Sequence, residues 1–214
     1  GGQLRLFVKA AAVTLGLSLA AFLIAVPLGF LLAVSRVYGA WPVRLLARAY
    51  IELFRGTPVL LQLYVLYYGL APYHAFGAVQ AAILGLGLNY AAYEAEVYRG
   101  ALLAIPHGQT EAAQSLGMTP WQTLWHILLP QALRLALPAM TNDFVALLKD
   151  TSLVSVITVI ELTKRMTIAA VDLRGWLVPG IACAALYFAL SYPLSELARR
   201  LEGRLSRDTR PRTL

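Results

Sequence analysis

Charged residues are scarce in this sequence, and their scarcity excludes an ordinary soluble domain. Only 14% of the 214 residues are Asp, Glu, Lys or Arg, against about 25% in typical soluble domains. So few charges could not cover the surface that a soluble domain of this length exposes. Hydrophobic residues make up 59% of the chain and the mean hydropathy is +0.65. The composition therefore indicates a protein whose solvent includes lipid.

The residues that usually carry chemistry are also few. Cys183 is the only cysteine, so the chain cannot form an internal disulfide, and a buried structural thiol is expected there. No Gly-Lys-Ser/Thr phosphate loop occurs. His74, His107 and His126 stand apart from one another and from any nucleophile or paired carboxylate. We therefore predict no catalytic residue, no metal site and no cofactor bound by this chain.

The excess of basic residues has two interpretations. The net charge is +7, which is compatible with binding to nucleic acid or with loops beside anionic lipid. The basic residues lie between and after long apolar runs, and they form no stripe with interleaved aromatic residues. We therefore predict contact with membrane lipid and no nucleic-acid partner.

Five apolar runs are long enough to cross the hydrocarbon core of a membrane, which takes about 20 residues. The first contains Pro27, which predicts a kink, and the fourth is interrupted by Asp143, Lys149 and Asp150. We expect an all-α integral membrane protein in which residues 1–214 form a single transmembrane domain. The five predicted spans cover 10–34, 51–73, 76–98, 133–160 and 176–197.

The distribution of Lys and Arg predicts the orientation of the spans. Four lie between the first two spans, two flank the segment 99–134, and six follow the last span, so twelve of the 18 fall on one side. The remaining residues are five on the other side, including Lys164, Arg165 and Arg174, and Lys149 within the fourth span. The positive-inside rule places the richer side in the cytoplasm. We therefore expect the N-terminus outside and the C-terminus in the cytoplasm.

The segment of about 35 residues between the third and fourth spans is too polar to cross a membrane. Its pattern predicts a first short helix that begins near Gly108 or Gln109. Glu111 would then lie in the first turn, where a carboxylate suits the helix dipole. Gly117 is expected to end this helix.

A second short helix is expected directly after that corner. Thr119 is a suitable N-cap, and Pro120 suits the first helical position. This helix is expected to run toward Ile127 and to end before Pro130. A helix, a glycine corner and a second helix on the cytoplasmic side would suit docking to another protein.

The same segment carries a specific motif. The pattern Glu111-Ala112-Ala113, three residues, Gly117, nine residues and Ile127-x-Leu129-Pro130 resembles the EAA loop of binding-protein-dependent ABC importer permeases at every defined position. Other segments resemble the polar amino acid branch of that family. They are 50–58, Tyr93-x-x-Glu96-x-x-Arg99-Gly100, 108–113 and 147–153.

The resemblance implies a type I ABC importer permease fold with a cytoplasmic EAA loop at about 99–134, in the inner membrane of a bacterium. It implies a subunit that moves polar amino acids inward, driven by a separate dimer of ATP-binding cassette ATPases that binds ATP and Mg. A second copy or a sibling permease and an extracytoplasmic amino acid-binding protein would complete the transporter. The resemblance assigns coupling to the ATPase to Glu111, Ala112, Ala113 and Gly117.

Ionisable residues within a span are costly and often functional. Asp143 lies near the middle of the fourth span, where its carboxylate either meets a cationic group of the substrate or pairs with another helix. Asn142, the second candidate for the pathway, points about 100° away on a helix. Tyr64 and Tyr68 form an interfacial belt or stack on a cationic substrate. Asp143 favours a substrate with a basic or amide side chain.

Six further residues are candidates for gating or architecture. Glu52 and Arg55, like Glu96 and Arg99, stand three apart and are expected to form local ion pairs. Lys149 is expected to pair with Glu52, with Glu96 or with Asp143 of the partner subunit. The resemblance favours an architectural or gating role for Lys149 and Asp150 over direct contact with the substrate.

Three other classes of membrane protein fit the sequence less well. A membrane enzyme would need a cluster of reactive groups at membrane depth, and none is present. A secondary transporter working as one chain usually has more spans and internal repeats. A scaffold or receptor would not explain the EAA loop.

Overall fold

The computed structural model describes residues 2–73 and 76–208, and these contain helices but no β-strand. His74, Arg210 and Arg212 lie outside the described residues. The helices are α1 (Gly2–Tyr38), α2 (Trp41–Gly56), α3 (Val59–Tyr64, continued by a π turn Val65–Gly69), α4 (Ala78–Leu103), α5 (His107–Ser115), α6 (Pro120–Thr123, continued by a π turn Leu124–Leu128), α7 (Leu129–Asp150, continued by a 3₁₀ turn Thr151–Ile157), α8 (Leu162–Asp172) and α9 (Leu177–Asp208).

Three of the five predicted spans coincide with long helices. They are α1, α4 and α9, and Pro27 lies within α1 as predicted. By length and apolar composition alone, Gly2–Tyr38 and Leu177–Gly203 could each cross a membrane, and Val59–Gly69 is a shorter apolar helix. The two predicted spans that carry boundary errors are the second and the fourth.

The second span is interrupted, where one helix over 51–73 was predicted. Thr57 and Pro58 are extended, with φ/ψ of −122°/144° and −62°/135°, and α3 begins after them. Proline has no N–H to donate and disfavours a helical conformation in the residue before it. Glu52 and Arg55 therefore belong to α2, which starts ten residues before the predicted span.

The fourth span starts earlier than predicted, because the second helix of the loop does not end before Pro130. The chain passes from α6 through a π turn into α7, and Pro130 is the second residue of α7. The π turn places the N–H of Leu129 on the carbonyl oxygen of Leu124, and Pro130, which has no N–H to donate, follows this local change in hydrogen bonding. The regular α-helix then ends at Asp150, and the 3₁₀ turn stops at Thr158, which has a φ of +71°.

The largest helix interface joins α1 to α4 through small residues. Ala21, Ala25, Gly29 and Ala33 recur every fourth position on α1, and all four are buried. A Cβ at Gly29 would lie 2.6 Å from Cβ of Glu94 and 2.9 Å from the carbonyl oxygen of Ala91. The two backbones therefore approach as closely as small residues allow.

The start of α8 is tied to α9 by a buried carboxylate and to α1 by a backbone hydrogen bond. Glu161 accepts hydrogen bonds from the backbone N–H groups of Thr163 and Lys164, both at 2.7 Å, and from Tyr187 Oη at 2.8 Å. The N–H of Leu162 donates to Thr14 Oγ1 of α1. Cys183 is buried in the adjoining apolar cluster, as expected for a structural thiol.

We expect Gly29→Val to destabilise the α1–α4 interface by about 1–3 kcal/mol, because a larger side chain would force the two backbones apart. Gly16→Val is the matched control, since Gly16 lies on the same helix with nothing within 4 Å of an added Cβ. Thermal unfolding of the two purified variants in detergent would measure the difference. Equal stability of both would contradict the close approach.

Candidate functional site

The interruption between α2 and α3 borders a cavity of about 480 Å³. Asn89 and Tyr90, which line it, lie near the middle of α4, so the cavity lies halfway along this helix. Its walls come from the interruption, α4 and α7. The lining residues are Arg55, Gly56, Thr57, Pro58, Val59, Asn89, Tyr90, Tyr93, Asp143, Ala146 and Asp150.

Two amide side chains hold the interruption in place. Asn89 Nδ2 donates to the carbonyl oxygen of Phe54 and to Gln62 Oε1, both at 3.1 Å. Gln62 Nε2 donates to the carbonyl oxygen of Thr57 at 3.2 Å and to Thr57 Oγ1 at 2.8 Å. The last carbonyls of a helix have no helical donor, and these amides supply one. Sequence analysis missed both residues, although each is an isolated polar side chain in an apolar run.

The side chain of Arg55 lines the cavity and does not pair with Glu52. Its guanidinium carbon lies 5.5 Å from the centroid of the Tyr93 ring, within the range of a cation–π interaction. Glu52 is exposed and forms no ion pair with the side chains that the structure describes. The predicted pair between Glu52 and Arg55 was wrong, because α4 offers Arg55 an aromatic face beside the cavity.

Two carboxylates of α7 line the same cavity as Arg55. Asp150 Oδ2 accepts a hydrogen bond of 2.8 Å from Tyr90 Oη. Asp143 Oδ2 is buried and has no hydrogen-bond partner among the described residues. An unpartnered buried carboxylate oxygen is costly. The cavity therefore has a free acceptor on one wall and a guanidinium on the other, an arrangement suited to a ligand that carries both a cation and a carboxylate.

A second site, at one end of the bundle, is the turn between α5 and α6. Gly117 has a φ of +78°, and its N–H donates to the carbonyl oxygen of Gln114, while the N–H of Met118 donates to that of Ala113. This pair of bonds is a Schellman motif. A capping box follows, in which Thr119 Oγ1 accepts from the N–H of Gln122 and Gln122 Oε1 accepts from the N–H of Thr119.

The predicted helix, corner and helix are confirmed, and the start of the first helix needs a correction in addition to the continuation of the second through Pro130. The first helix starts at His107, so Glu111 lies in its second turn and not in its first. Glu111, Ala112 and Gly117 are exposed, whereas Ala113 is buried. The turn therefore presents a carboxylate and a small residue to the solvent on a corner that hydrogen bonds hold in shape.

Comparison with known proteins identifies the family. Residues 25–207 match the binding-protein-dependent transport system inner membrane component family. The chain belongs to this family. The predicted resemblance is thus confirmed, and the protein is a permease component of amino acid ABC importers.

Individual relatives support the same conclusion. The permease is 35% identical to the L-cystine transport system permease protein TcyB of Bacillus subtilis, over 91% of this chain and 84% of the relative. It is 39% identical to the octopine transport system permease protein OccM of Rhizobium radiobacter, over 90% and 84%. It is 36% identical to the glutamine transport system permease protein GlnP of Escherichia coli, over 94% and 93%.

Solved structures confirm the fold of the permease. The crystal structure of an amino acid ABC transporter with histidines superposes with a TM-score of 0.87 at 36% identity, covering 94% of each chain. An inward-facing structure of the MetNI methionine ABC transporter gives a TM-score of 0.72 at 25% identity, covering 92% of the permease and 93% of the other chain. The predicted type I importer permease architecture is therefore confirmed, and these relatives are transporter subunits and not enzymes.

The permease forms one of the two predicted local ion pairs. Glu96 lies 2.7 Å from Arg99 Nη2, as expected, and it also pairs with Arg36 of α1. Since Arg36 precedes the end of α1 by two residues, this cluster joins α1 to the last turns of α4. The end of the bundle that contains this cluster and the α5–α6 turn is called the loop end below.

Other predicted site residues of the permease lie away from the cavity. Asn142 Nδ2 donates to Glu202 Oε1 of α9 at 3.1 Å. Tyr68 Oη donates to the carbonyl oxygen of Val156 at 3.2 Å, and the exposed Tyr64 ring contacts that of Tyr68. Lys149 is exposed and pairs with neither Glu52 nor Glu96. The structure thus brings Arg55, Asp143 and Asp150 together in the lining of the cavity, which includes none of the other candidates.

Metal ligands are not clustered in the parts of the permease that the structure describes. No group of three or more His, Cys, Asp or Glu side chains there is placed to hold a metal ion. His107 and His126 are both exposed.

We expect Asn89→Leu to destabilise the permease by about 1–3 kcal/mol, because Gln62 Oε1 would lose its donor and the Phe54 carbonyl would keep only the bond from Gln62 Nε2. Asn142→Leu is the matched control, since Asn142 is an exposed amide with a single partner. Thermal unfolding in lipid nanodiscs would compare the two. A larger loss for Asn142→Leu would contradict the proposed support of the interruption.

Proposed function

We propose that this permease carries polar amino acids inward across the bacterial inner membrane through the cavity between α2, α4 and α7. The observation that carries the proposal is that Arg55 lines the same cavity as Asp143, whose buried oxygen lacks a partner. A guanidinium binds a carboxylate, and a carboxylate accepts hydrogen bonds from an ammonium group. An α-amino acid offers both groups, so the two walls would hold its two charged ends.

The charges of the cavity favour a substrate with a basic or amide side chain. The lining of the cavity contains two carboxylates, Asp143 and Asp150, and one guanidinium, Arg55, so negative side chains outnumber positive ones. Tyr90 already donates to Asp150, which leaves Asp143 as the free acceptor for a donor on the substrate. Relatives named for glutamine and octopine transport handle molecules with amide or guanidinium donors.

The same proposal places ATP hydrolysis in separate subunits. The exposed α5–α6 turn would seat on a dimer of ATP-binding cassette ATPases, which bind ATP and Mg, with Glu111 and Ala112 at the contact and Gly117 at the corner. A second copy or a sibling permease, together with an extracytoplasmic amino acid-binding protein, would complete the transporter. This turn then lies in the cytoplasm, so α1 starts outside and α9 ends inside, in agreement with the distribution of basic residues.

The cavity is tested by removing two of its charges one at a time. We expect Asp143→Asn and Arg55→Gln each to reduce amino acid uptake into proteoliposomes by about ten- to a hundredfold, because each removes a charged hydrogen bond of about 1.5–3 kcal/mol. Asp143→Asn should spare amide substrates more than basic ones. Asp172→Asn, a change of an exposed aspartate at the end of α8, is the control. Uptake unchanged in both cavity variants would refute this pathway.

The coupling turn is tested with a matched pair of glycines. Gly117→Ala places a side chain at a φ of +78° and should disturb the corner by about 1 kcal/mol or more. Gly108→Ala is the control, because Gly108 is helical with nothing within 4 Å of an added Cβ. We expect Gly117→Ala, combined with Glu111→Ala, to lose co-purification with a candidate ATPase and stimulation of its ATP hydrolysis by amino acids.

In that experiment the Gly108→Ala variant should retain both properties. If the Gly117→Ala, Glu111→Ala variant bound and stimulated the ATPase as well as the control does, the α5–α6 turn would not be the coupling element.

A further inference from the structure

One face of α2 carries a stripe of charge. Arg44, Arg48, Glu52 and Arg55 recur at intervals of four, four and three residues, which places them within an arc of about 80° on a helix. All four are exposed, and none forms an ion pair with a side chain that the structure describes. Arg44 donates only to the carbonyl oxygen of Gly39. We call these four residues the α2 stripe.

The other two faces of α2 have different surroundings. Ala47 and Ile51 are buried, at 5% and 1% exposure, and they form the packed face. Leu46 and Leu53, at 72% and 61% exposure, form an apolar face with no covering residue in the described structure. An exposed apolar face on a membrane protein suits lipid chains. The α2 stripe points elsewhere, about 100–180° away from these leucines.

The α2 stripe runs between the cavity and the loop end. At one end Arg55 lines the cavity, and this end of α2 is tied to the middle of α4 by the bond from Asn89 to Phe54 and by Tyr50 Oη, which donates to the carbonyl oxygen of Leu88 at 2.8 Å. At the other end α2 begins three residues after α1 stops, and Arg36 near the end of α1 pairs with Glu96 of α4. The α2 stripe therefore spans about 16 Å from the cavity to the loop end.

Ionisable side chains at membrane depth face a bundle interior or a water-filled cavity, because exposure to lipid is too costly. The four residues of the α2 stripe are exposed and form no ion pair, and Arg55 on the same face already lines the cavity. Water that continues from the cavity along this face would hydrate all four side chains. Its three arginines and one glutamate give a net charge of +2. A positive wall raises the local concentration of carboxylates and lowers that of small cations.

We infer that the α2 stripe lines a water-filled exit vestibule, and that it guides the carboxylate of the amino acid from Arg55 toward the loop end. Arg48 lies about two helical turns from Arg55, and Arg44 lies about one turn beyond Arg48. One carboxylate could therefore contact the three arginines in succession. The inference rests on the proposed function, since it takes the cavity as the place from which the amino acid leaves.

Single cysteines test the vestibule directly. Cys183→Ser removes the only cysteine, and Arg48→Cys or Arg44→Cys is then added on the α2 stripe. Leu46→Cys and Leu53→Cys on the apolar face of the same helix are the matched controls. Each variant is reconstituted with its ATPase in proteoliposomes and treated with membrane-impermeant methanethiosulfonates, one bearing a sulfonate and one a trimethylammonium group.

We expect the cysteines at positions 44 and 48 to react about tenfold faster than those at 46 and 53. The sulfonate reagent should be favoured over the trimethylammonium reagent by about tenfold relative to a free thiol, and high salt should remove this preference. Arg44→Gln in the Arg48→Cys variant should lower the preference further. A cysteine at 48 that reacts no faster than one at 53, favours the cationic reagent or crosslinks two copies on mild oxidation would overturn the vestibule.

A transport measurement tests whether the α2 stripe guides the carboxylate. Arg44→Gln with Arg48→Gln should lower amino acid uptake about tenfold while the ATPase still co-purifies. Arg199→Gln with Arg200→Gln is the control, since both arginines of α9 pair with Glu196. Uptake equal to that of the control would overturn the guidance of the carboxylate.

The two proposals can fail separately. If the cysteine pattern and the uptake loss hold while Asp143→Asn and Arg55→Gln leave uptake intact, the cavity proposal and the guidance from Arg55 fail, and the water-filled vestibule along Arg44 and Arg48 stands. If both faces of α2 react alike while the cavity variants lose uptake, the vestibule fails and the cavity stands.

Discussion

A helix that is interrupted within a membrane exposes backbone carbonyls that lipid cannot hydrogen-bond. In this permease the interruption at Thr57 and Pro58 meets that constraint with two side-chain amides. Asn89 from α4 and Gln62 from α3 supply donors to Phe54 and Thr57. The cavity, the position of Arg55 and the direction of the α2 stripe all depend on this arrangement, because it fixes where α2 stops and how it meets α4.

The frame that carries the interruption is unusually close-packed on one side. Small residues on α1 bring its backbone against α4, and Gly29 has no room for a side chain. At the loop end, Arg36 and Arg99 share Glu96 and hold the same two helices together. With α1 and α4 joined in this way, α4 can present Asn89, Tyr90 and Tyr93 to the cavity from a fixed position.

The two functional regions differ in how they are stabilised. The α5–α6 turn depends on local hydrogen bonds, namely a Schellman motif at Gly117 and a capping box at Thr119. The cavity depends on contacts between residues far apart in the chain, such as Tyr90 with Asp150. A substitution at the turn therefore acts on its own corner, whereas one at Asn89 affects α2, α3 and α4 together.

The sequence by itself determined what depends on near neighbours and on composition. The apolar runs predicted a helical membrane protein, the EAA pattern predicted the family, and Gly117 and Thr119 predicted the corner, because turns and caps are set by residues within a few positions. Glu96 and Arg99 pair as predicted for the same reason. Tertiary structure decided the rest. Arg55 contacts Tyr93 and does not pair with Glu52. Asn142 bonds to Glu202 and lies outside the cavity that Asp143 lines. Asn89 supports an interruption that the hydropathy pattern did not predict. Each of these outcomes depends on which helix lies opposite, and the spacing of residues along one chain does not contain that information.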